Sequence, residues 1–254
     1  MPIRPSAVAG FFYPACATSL AERVDAWVGA AGAAHARRPK AIIAPHSRYD
    51  DCGHVLGAAW ATVHGRDEGL ERVVLIGPSH RVPVLGVVAD SASWMQTPLG
   101  AVEVDRSAID GLPNVGRHPA AHALEHSLEV QLPFLMRVAP AAQVVPLVVG
   151  RASTRAVRAV IEALWGGDET LIVISTDLSH EVYGPTAVAY DEDTALRVEA
   201  KSGSELDDDR ACAASALSAL VGVARAERLH VERLALSRAN RVGHGAWALY
   251  ETDA

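Results

Sequence analysis

Three times in this chain a run of apolar residues ends in a turn that carries a histidine. The three are Ala41-Ile-Ile-Ala-Pro-His46, Val73-Val-Leu-Ile-Gly-Pro-Ser-His80 and Leu171-Ile-Val-Ile-Ser-Thr-Asp-Leu-Ser-His180. Short apolar runs closed by Gly, Pro or Ser read as buried strands. In an open α/β sheet, ligands bind beyond the carboxyl ends of such strands. Three imidazoles delivered to that edge point to a metal or acid–base site.

The segments between these strands alternate between helical and strand patterns. They predict a single three-layer α/β/α domain, residues 1–254, around a mainly parallel mixed sheet. Strands near His230–Leu236 and Gly245–Tyr250, joined by a short link, are expected to add an antiparallel pair. A helix is expected over Ala120–Val138. The aromatic N-terminal stretch Phe11-Phe-Tyr13 reads as a loop packed onto the core.

The net charge of −7, with both signs interspersed, argues against a nucleic-acid surface. No window is apolar enough for a membrane span. Three cysteines without CxxC spacing fit a reducing compartment, so a cytoplasmic location is expected. A homo-oligomer is left open.

Two histidines and a carboxylate with open positions suit non-haem Fe(II), and an unligated third histidine would then serve as acid or base. Asp177, three residues before His180, is a candidate ligand, orienting group or cap. His122-Ala-Leu-Glu-His126 places two histidines at i, i+4 and matches the H-x-x-E-H pattern of inverzincin peptidases. That leaves a zinc hydrolase as one reading. In another, His126 or Glu125 borders the cleft of the histidine turns. Arg48, Tyr49, Asp50, Asp51 and Thr97 are further cleft candidates. Cys52 and Cys212 read as small buried hydrophobes.

Several stretches together resemble the MEMO family. They are Arg4-Pro-Ser-Ala-Val-Ala-Gly-Phe-Phe-Tyr-Pro14, Ala44-Pro-His46, Gly77-Pro-Ser-His80, Thr97-Pro-Leu-Gly100, Glu125-His-Ser-Leu-Glu-Val-Gln-Leu-Pro-Phe-Leu135 and Ser175-Thr-Asp-Leu-Ser-His180. The resemblance implies a fold shared with LigB-type class III extradiol dioxygenases, which open catechol rings with Fe(II). It makes His46 and His80 metal ligands and His180 the acid–base residue, while Asp177 and His126 are further catalytic candidates from their own positions in the chain. By their proximity to the histidine turns, Arg48, Tyr49, Thr97 and Glu125 are candidate substrate contacts. The family's third ligand, a Cys near the C-terminus, has no counterpart in Leu236-Ser-Arg-Ala-Asn-Arg-Val-Gly-His-Gly245, where the loop looks shortened. His244 or Asn240 is a substitute, or no ion is held tightly. The family's Pro-His-Ala-Gly-Tyr turn is here Pro45-His-Ser-Arg-Tyr49. Fe(II) is the expected ion, with zinc and copper as alternatives. The expected ligand is a small aromatic molecule, and a non-catalytic metal- or peptide-binding protein is the other reading.

Overall fold

A computed structural model describes residues 2–32, 37–180, 182 and 184–252. In chain order the elements are β1 (Ile3–Arg4), α1 (Ala17–Ala30), β2 (Ala41–Ala44), α2 (Tyr49–Ala61), β3 (Arg72–Pro78), β4 (Val87–Ala89), β5 (Trp94–Thr97), β6 (Gly100–Glu103), α3 (Arg106–Asp110), β7 (Gly116–Arg117) and α4 (Pro119–Ala123). There follow a 3-10 turn (Glu129–Gln131), α5 (Leu132–Val138), β8 (Gln143–Val149), α6 (Thr154–Ala163), β9 (Thr170–Ser175), α7 (Gly184–Glu199), α8 (Ala214–Ala226), β10 (His230–Ala239) and β11 (Val242–Tyr250).

The main sheet has the order β10-β11-β2-β9-β3-β8-β4-β7, and β1-β5-β6 form a small second sheet. Strands β2, β9, β3 and β8 run parallel. All of their residues are buried except the first of β3 and of β8, as expected for strands covered on both faces. Helices α1, α2 and α5 pack together, with α2 on β2 and β11, while α6 packs on α8 and α8 on β9. The three-layer α/β arrangement is therefore as the sequence predicts.

The strands that end in His46, His180 and His80 are β2, β9 and β3, three neighbours in the sheet. Parallel register brings their carboxyl ends to one edge. The antiparallel pair is β10–β11, closed by a two-residue turn at Asn240 (φ 47°) and Arg241 (φ 72°). Two successive left-handed residues match the twist of a tight hairpin. The short turn explains the shortened loop.

The helix expected over Ala120–Val138 is broken in two. Glu125 Oε1 accepts the amides of His126 and Ser127, which turns the chain out of α4, and Pro133 stands in the first turn of α5. His122 and His126 therefore do not share a helix face.

The N-terminal stretch is fastened down by one carboxylate. Glu129, fully buried, accepts from Arg4 Nη1 (2.9 Å), Ala7 N, Val8 N and the Tyr13 hydroxyl (2.6 Å). Arg4 also donates to the carbonyls of His122 and Glu125. Among the described residues no helix of 18 or more residues is apolar enough to cross a membrane.

Candidate metal centre

His46, His80 and His126 each offer a ring nitrogen, and these atoms lie within 4.8 Å of one another. Ring centroids are 5.0 Å apart for His46–His80, 5.5 Å for His46–His126 and 4.6 Å for His80–His126. The third imidazole of the cluster is therefore His126, not His244. They border a cavity of about 290 Å³, whose lining also includes Phe12, Ser47, Arg48, Asp51, Asp177 and His180.

Two buried networks decide which nitrogen each ring presents. The first begins at Trp60, whose indole is a donor only. Its Nε1 donates to Gln131 Oε1 (2.9 Å), so Gln131 Nε2 is the donor to Pro45 O and to Ser175 Oγ. Ser175 gives its own proton to the Ser127 carbonyl (2.6 Å). Its oxygen, 3.1 Å from His46 Nδ1, is left as an acceptor there. His46 is then the Nδ1–H tautomer, with the lone pair on Nε2. Burial lowers the His46 pKa to about 3, so the ring is neutral.

The second network centres on Glu125. Oε1 accepts from His80 Nδ1 (2.9 Å) and from the amides of His126 and Ser127, and Oε2 accepts the His80 amide (2.6 Å). Burial opposes its charge, but the His80 ring and the amides outweigh that and lower its pKa to about 2. An ionised carboxylate on Nδ1–H leaves His80 Nε2 as the ligand atom, the usual way a metal-binding imidazole is oriented. Gly77 makes this possible. A Cβ there would come within 2.9 Å of Ser127 Oγ and Leu128 Cδ2, so glycine lets the 125–128 segment close on the end of β3 without displacing those side chains. Burial also lowers His126, to about 4, which keeps it neutral.

Asp177 sits beneath the cavity. Oδ1 accepts the His46 amide (2.8 Å) and Oδ2 the Ser47 hydroxyl (2.7 Å), with Oδ2 3.9 Å from His46 Nε2. Burial works against this charge too, but His46, His244 and those hydrogen bonds hold its pKa below the usual carboxylate range. Asp177 thus braces the His46 turn. The turn before His180 is pinned separately: buried Asp191 accepts from Ser179 N and Oγ, and Arg238 bridges Asp191, Ser179 and Val182 O.

Several expected site residues lie elsewhere. Tyr49 is buried in the core and donates its hydroxyl to Val130 O (2.7 Å), because its position in the first turn of α2 points it at Tyr13, Trp27 and Phe134. Thr97 closes the β5–β6 turn through Gly100 O and Leu99 N. Glu125 lies behind the imidazoles and not in the cavity lining. His244 is fully buried on β11, outside the cluster, and neither ring nitrogen has a hydrogen-bond partner among the described residues. Asn240 is committed to Asp51 (2.6 Å). His122 faces Val88 O (3.2 Å), so the pairing required of an inverzincin is not assembled.

The sequence reading missed Cys212. Its Sγ lies 3.2 Å from His46 Nε2 and accepts the Asp177 amide (3.1 Å). Burial pushes its thiol pKa up, so in this arrangement it is an S–H group donating to the His46 lone pair. Phe12 was read only as packing, yet its ring lies tilted against His126, centroids 4.6 Å apart, and forms a cavity wall. No local motif marks Cys212, whereas Phe12 lies in the Arg4–Pro14 stretch.

A larger crevice of about 540 Å³ opens at the opposite, amino end of β2 and β9. Among the described residues no imidazole lines it, and Arg38 and Lys40 there are spent on backbone carbonyls, Arg66 and Glu68 for the first, Gly167 and Thr170 for the second.

A three-layer α/β fold with an imidazole cluster beyond the carboxyl ends of adjacent parallel strands defines a class of protein whose site could hold a metal ion. The model for Memo-like proteins matches residues 4–208, and the chain belongs to that family. Among its relatives, a MEMO1 family protein of Ignicoccus hospitalis is 36% identical over 218 residues, covering 76% of this chain and 73% of that protein. One of Aquifex aeolicus is 35% identical over 199 residues, with the same coverage of 76% and 73%. A memo-1 homolog of Caenorhabditis elegans is 33% identical over 187 residues, 70% of this chain and 52% of that protein.

Proposed function

We propose that this chain is a metal-dependent enzyme of the extradiol-dioxygenase type, with an Fe(II) centre held by His46, His80 and His126. One observation carries the reading: three imidazoles, two with their ring orientation fixed by buried partners, offer nitrogens within 4.8 Å of one another at a cavity. The donor set fits a first-row divalent ion. A bound Fe(II) supplies the redox centre at which dioxygen and a chelating substrate are brought together. The chain's own residues supply the rest. Phe12 offers an apolar wall for an aromatic ring. His180, on the cavity lining and outside the imidazole cluster, is placed to take a proton from a substrate hydroxyl. Asp177, with Oδ2 3.9 Å from His46 Nε2, keeps the His46 turn in place.

The test is a catechol panel under air with Fe(II)-loaded protein, followed by absorbance of ring-opened products. Turnover lost in His180→Ala but with iron retained supports the reading. Iron bound stoichiometrically with no turnover across the panel rejects it.

Cys212 favours a second reading, a non-catalytic metal-binding protein. A thiolate beside three imidazoles suits zinc or Cu(I), and would close the open position that catalysis needs. Metal analysis of protein purified without chelator separates the two. Zinc or copper lost in Cys212→Ser supports the second, and iron indifferent to that change supports the first.

A further inference from the structure

The hairpin that ends the main sheet buries an imidazole outside the cluster of the cavity. His244 pairs with Ser237 across β10 and β11, so both side chains leave the same face. The neighbours of His244 fix which face that is. A Cβ on Gly243 would meet Asp191 of α7, and Trp247 donates to Glu199 of the same helix, so the odd-numbered positions of β11 face α7. His244 therefore faces α2, which packs on both strands and is tied to the hairpin turn through Asp51 and Asn240. His244 is fully buried, and neither its ring nitrogens nor Ser237 Oγ has a hydrogen-bond partner among the described residues. Each ring nitrogen is a donor or an acceptor, and a buried one without a partner forfeits its hydration. An orphan of this kind in a folded core calls for a ligand.

Helix α2 supplies two further donors on that side. Asp51 and His54 stand at i, i+3, so their side chains leave one face of the helix together. Asp51 gives Oδ1 to Asn240 and has Oδ2 to offer. Burial lowers the His244 pKa, with the charges of Asp177, Asp51, His54 and His180 as smaller influences, so the ring is neutral with a lone pair to give.

We infer that His244, His54 and Asp51 form a second metal site, holding a zinc-class cation between β11 and the first turns of α2. Two imidazoles and a carboxylate, with water in the fourth position, are a common zinc donor set. These three donors are not gathered as the cavity imidazoles are, whose nitrogens already stand within 4.8 Å. Asp51 is half-buried and His54 exposed, so both close on the ion by side-chain rotation. The ion fastens the β10–β11 hairpin to the helix that begins three residues after His46. The site shares no ligand with the His46, His80 and His126 centre and stands independently of it.

The experiment counts zinc, the only ion supplied, on chelator-treated full-length protein after equilibrium dialysis. Wild type is expected to hold two equivalents, and His80→Ala and His244→Phe one each. His54→Ala, at an exposed position that folding does not depend on, is expected to hold the second equivalent about tenfold or more weakly. In the His80→Ala background zinc should raise Tm, and adding His244→Phe should remove that rise. Phenylalanine fills the same space without an orphan nitrogen, so the metal-free variant keeps its fold. Equal zinc content in wild type and His244→Phe overturns the inference. So does an equivalent in His80→Ala that survives both His244→Phe and His54→Ala, which is an adventitious ion. A single equivalent in wild type, kept in His80→Ala and lost in His244→Phe, supports the inference and counts against the cavity centre instead.

Discussion

The hydroxyl of Ser175 lies 3.1 Å from His46 Nδ1 and has already spent its proton on Ser127 O. It accepts, and that fixes the lone pair of His46 on Nε2. Ser175→Ala removes the acceptor and lets the ring turn or change tautomer. Metal affinity is expected to fall about 10- to 100-fold, as for other groups that orient a ligand. Competition against a calibrated chelator measures it, and an unchanged affinity would show that Ser175 does not control the tautomer.

Glu125→Gln tests the other brace. The amide cannot match an ionised carboxylate that accepts four hydrogen bonds. Because it supports His80 and His126 together, a loss of at least about 100-fold in metal affinity is expected. His122→Ala, by contrast, should leave bound metal unchanged, since that ring faces Val88 O. Zinc that depended on His122 would revive the hydrolase reading.

Arg4→Ala leaves Glu129 buried with one fewer donor and releases the carbonyls of His122 and Glu125. Breaking a buried pair from one side costs about 3–5 kcal/mol. The amides of Ala7 and Val8 and the Tyr13 hydroxyl still serve Glu129, which argues for the lower end. Urea unfolding with a midpoint close to wild type would contradict this.

Acid should destabilise the metal-free protein in a particular window. Burial depresses His46 to about 3 and His126 and His122 to about 4, from 6.5. Between those values the unfolded chain binds protons that the folded chain refuses, so stability is full above pH 6.5 and falls as the pH drops toward 4. Each histidine contributes on the order of 1 kcal/mol per pH unit in that window. Glu125, held at about 2, adds its own loss only below the ordinary carboxylate range of 4.5. Urea midpoints at pH 7.0 and 5.5 in chelator-treated protein should differ, and a flat profile would mean that these rings are not neutral.

His180→Ala should leave bound iron unchanged and lower turnover of a catechol by about 10²–10⁴-fold, the usual worth of a positioned acid–base group. Iron lost along with activity would make His180 a ligand instead.

The fold and half of the centre were legible because their signals are local. An apolar run, a Pro or Gly and a histidine occupy ten residues or fewer, and the parallel order of β2, β9 and β3 does the rest. For the closing member the sequence offered only that His126 or Glu125 borders the cleft, not that His126 joins the other two rings. Whether His126 enters depends on where Glu125 turns its carboxylate, and that depends on Gly77 allowing a close approach from a distant strand. Helical spacing gave the opposite picture, with His122 and His126 on one face. Cys212 reaches His46 from 166 residues away, and nothing in its own neighbourhood announces it. Tyr49 and Thr97 lie in motif segments but serve packing and a turn, which family-level patterns do not separate from ligand contact.

Four donors on Glu125 and the relay from Trp60 hold two imidazoles in position with protein atoms alone. A cage of this sort is finished by folding and does not wait for its guest, unlike small domains that collapse around zinc. Such a cage has little power to reject the wrong ion by refusing to form. An occupant would be decided by which ions are supplied and how well nitrogen suits them, and the metal recovered would vary with the growth medium before it varied with mutations far from the cage.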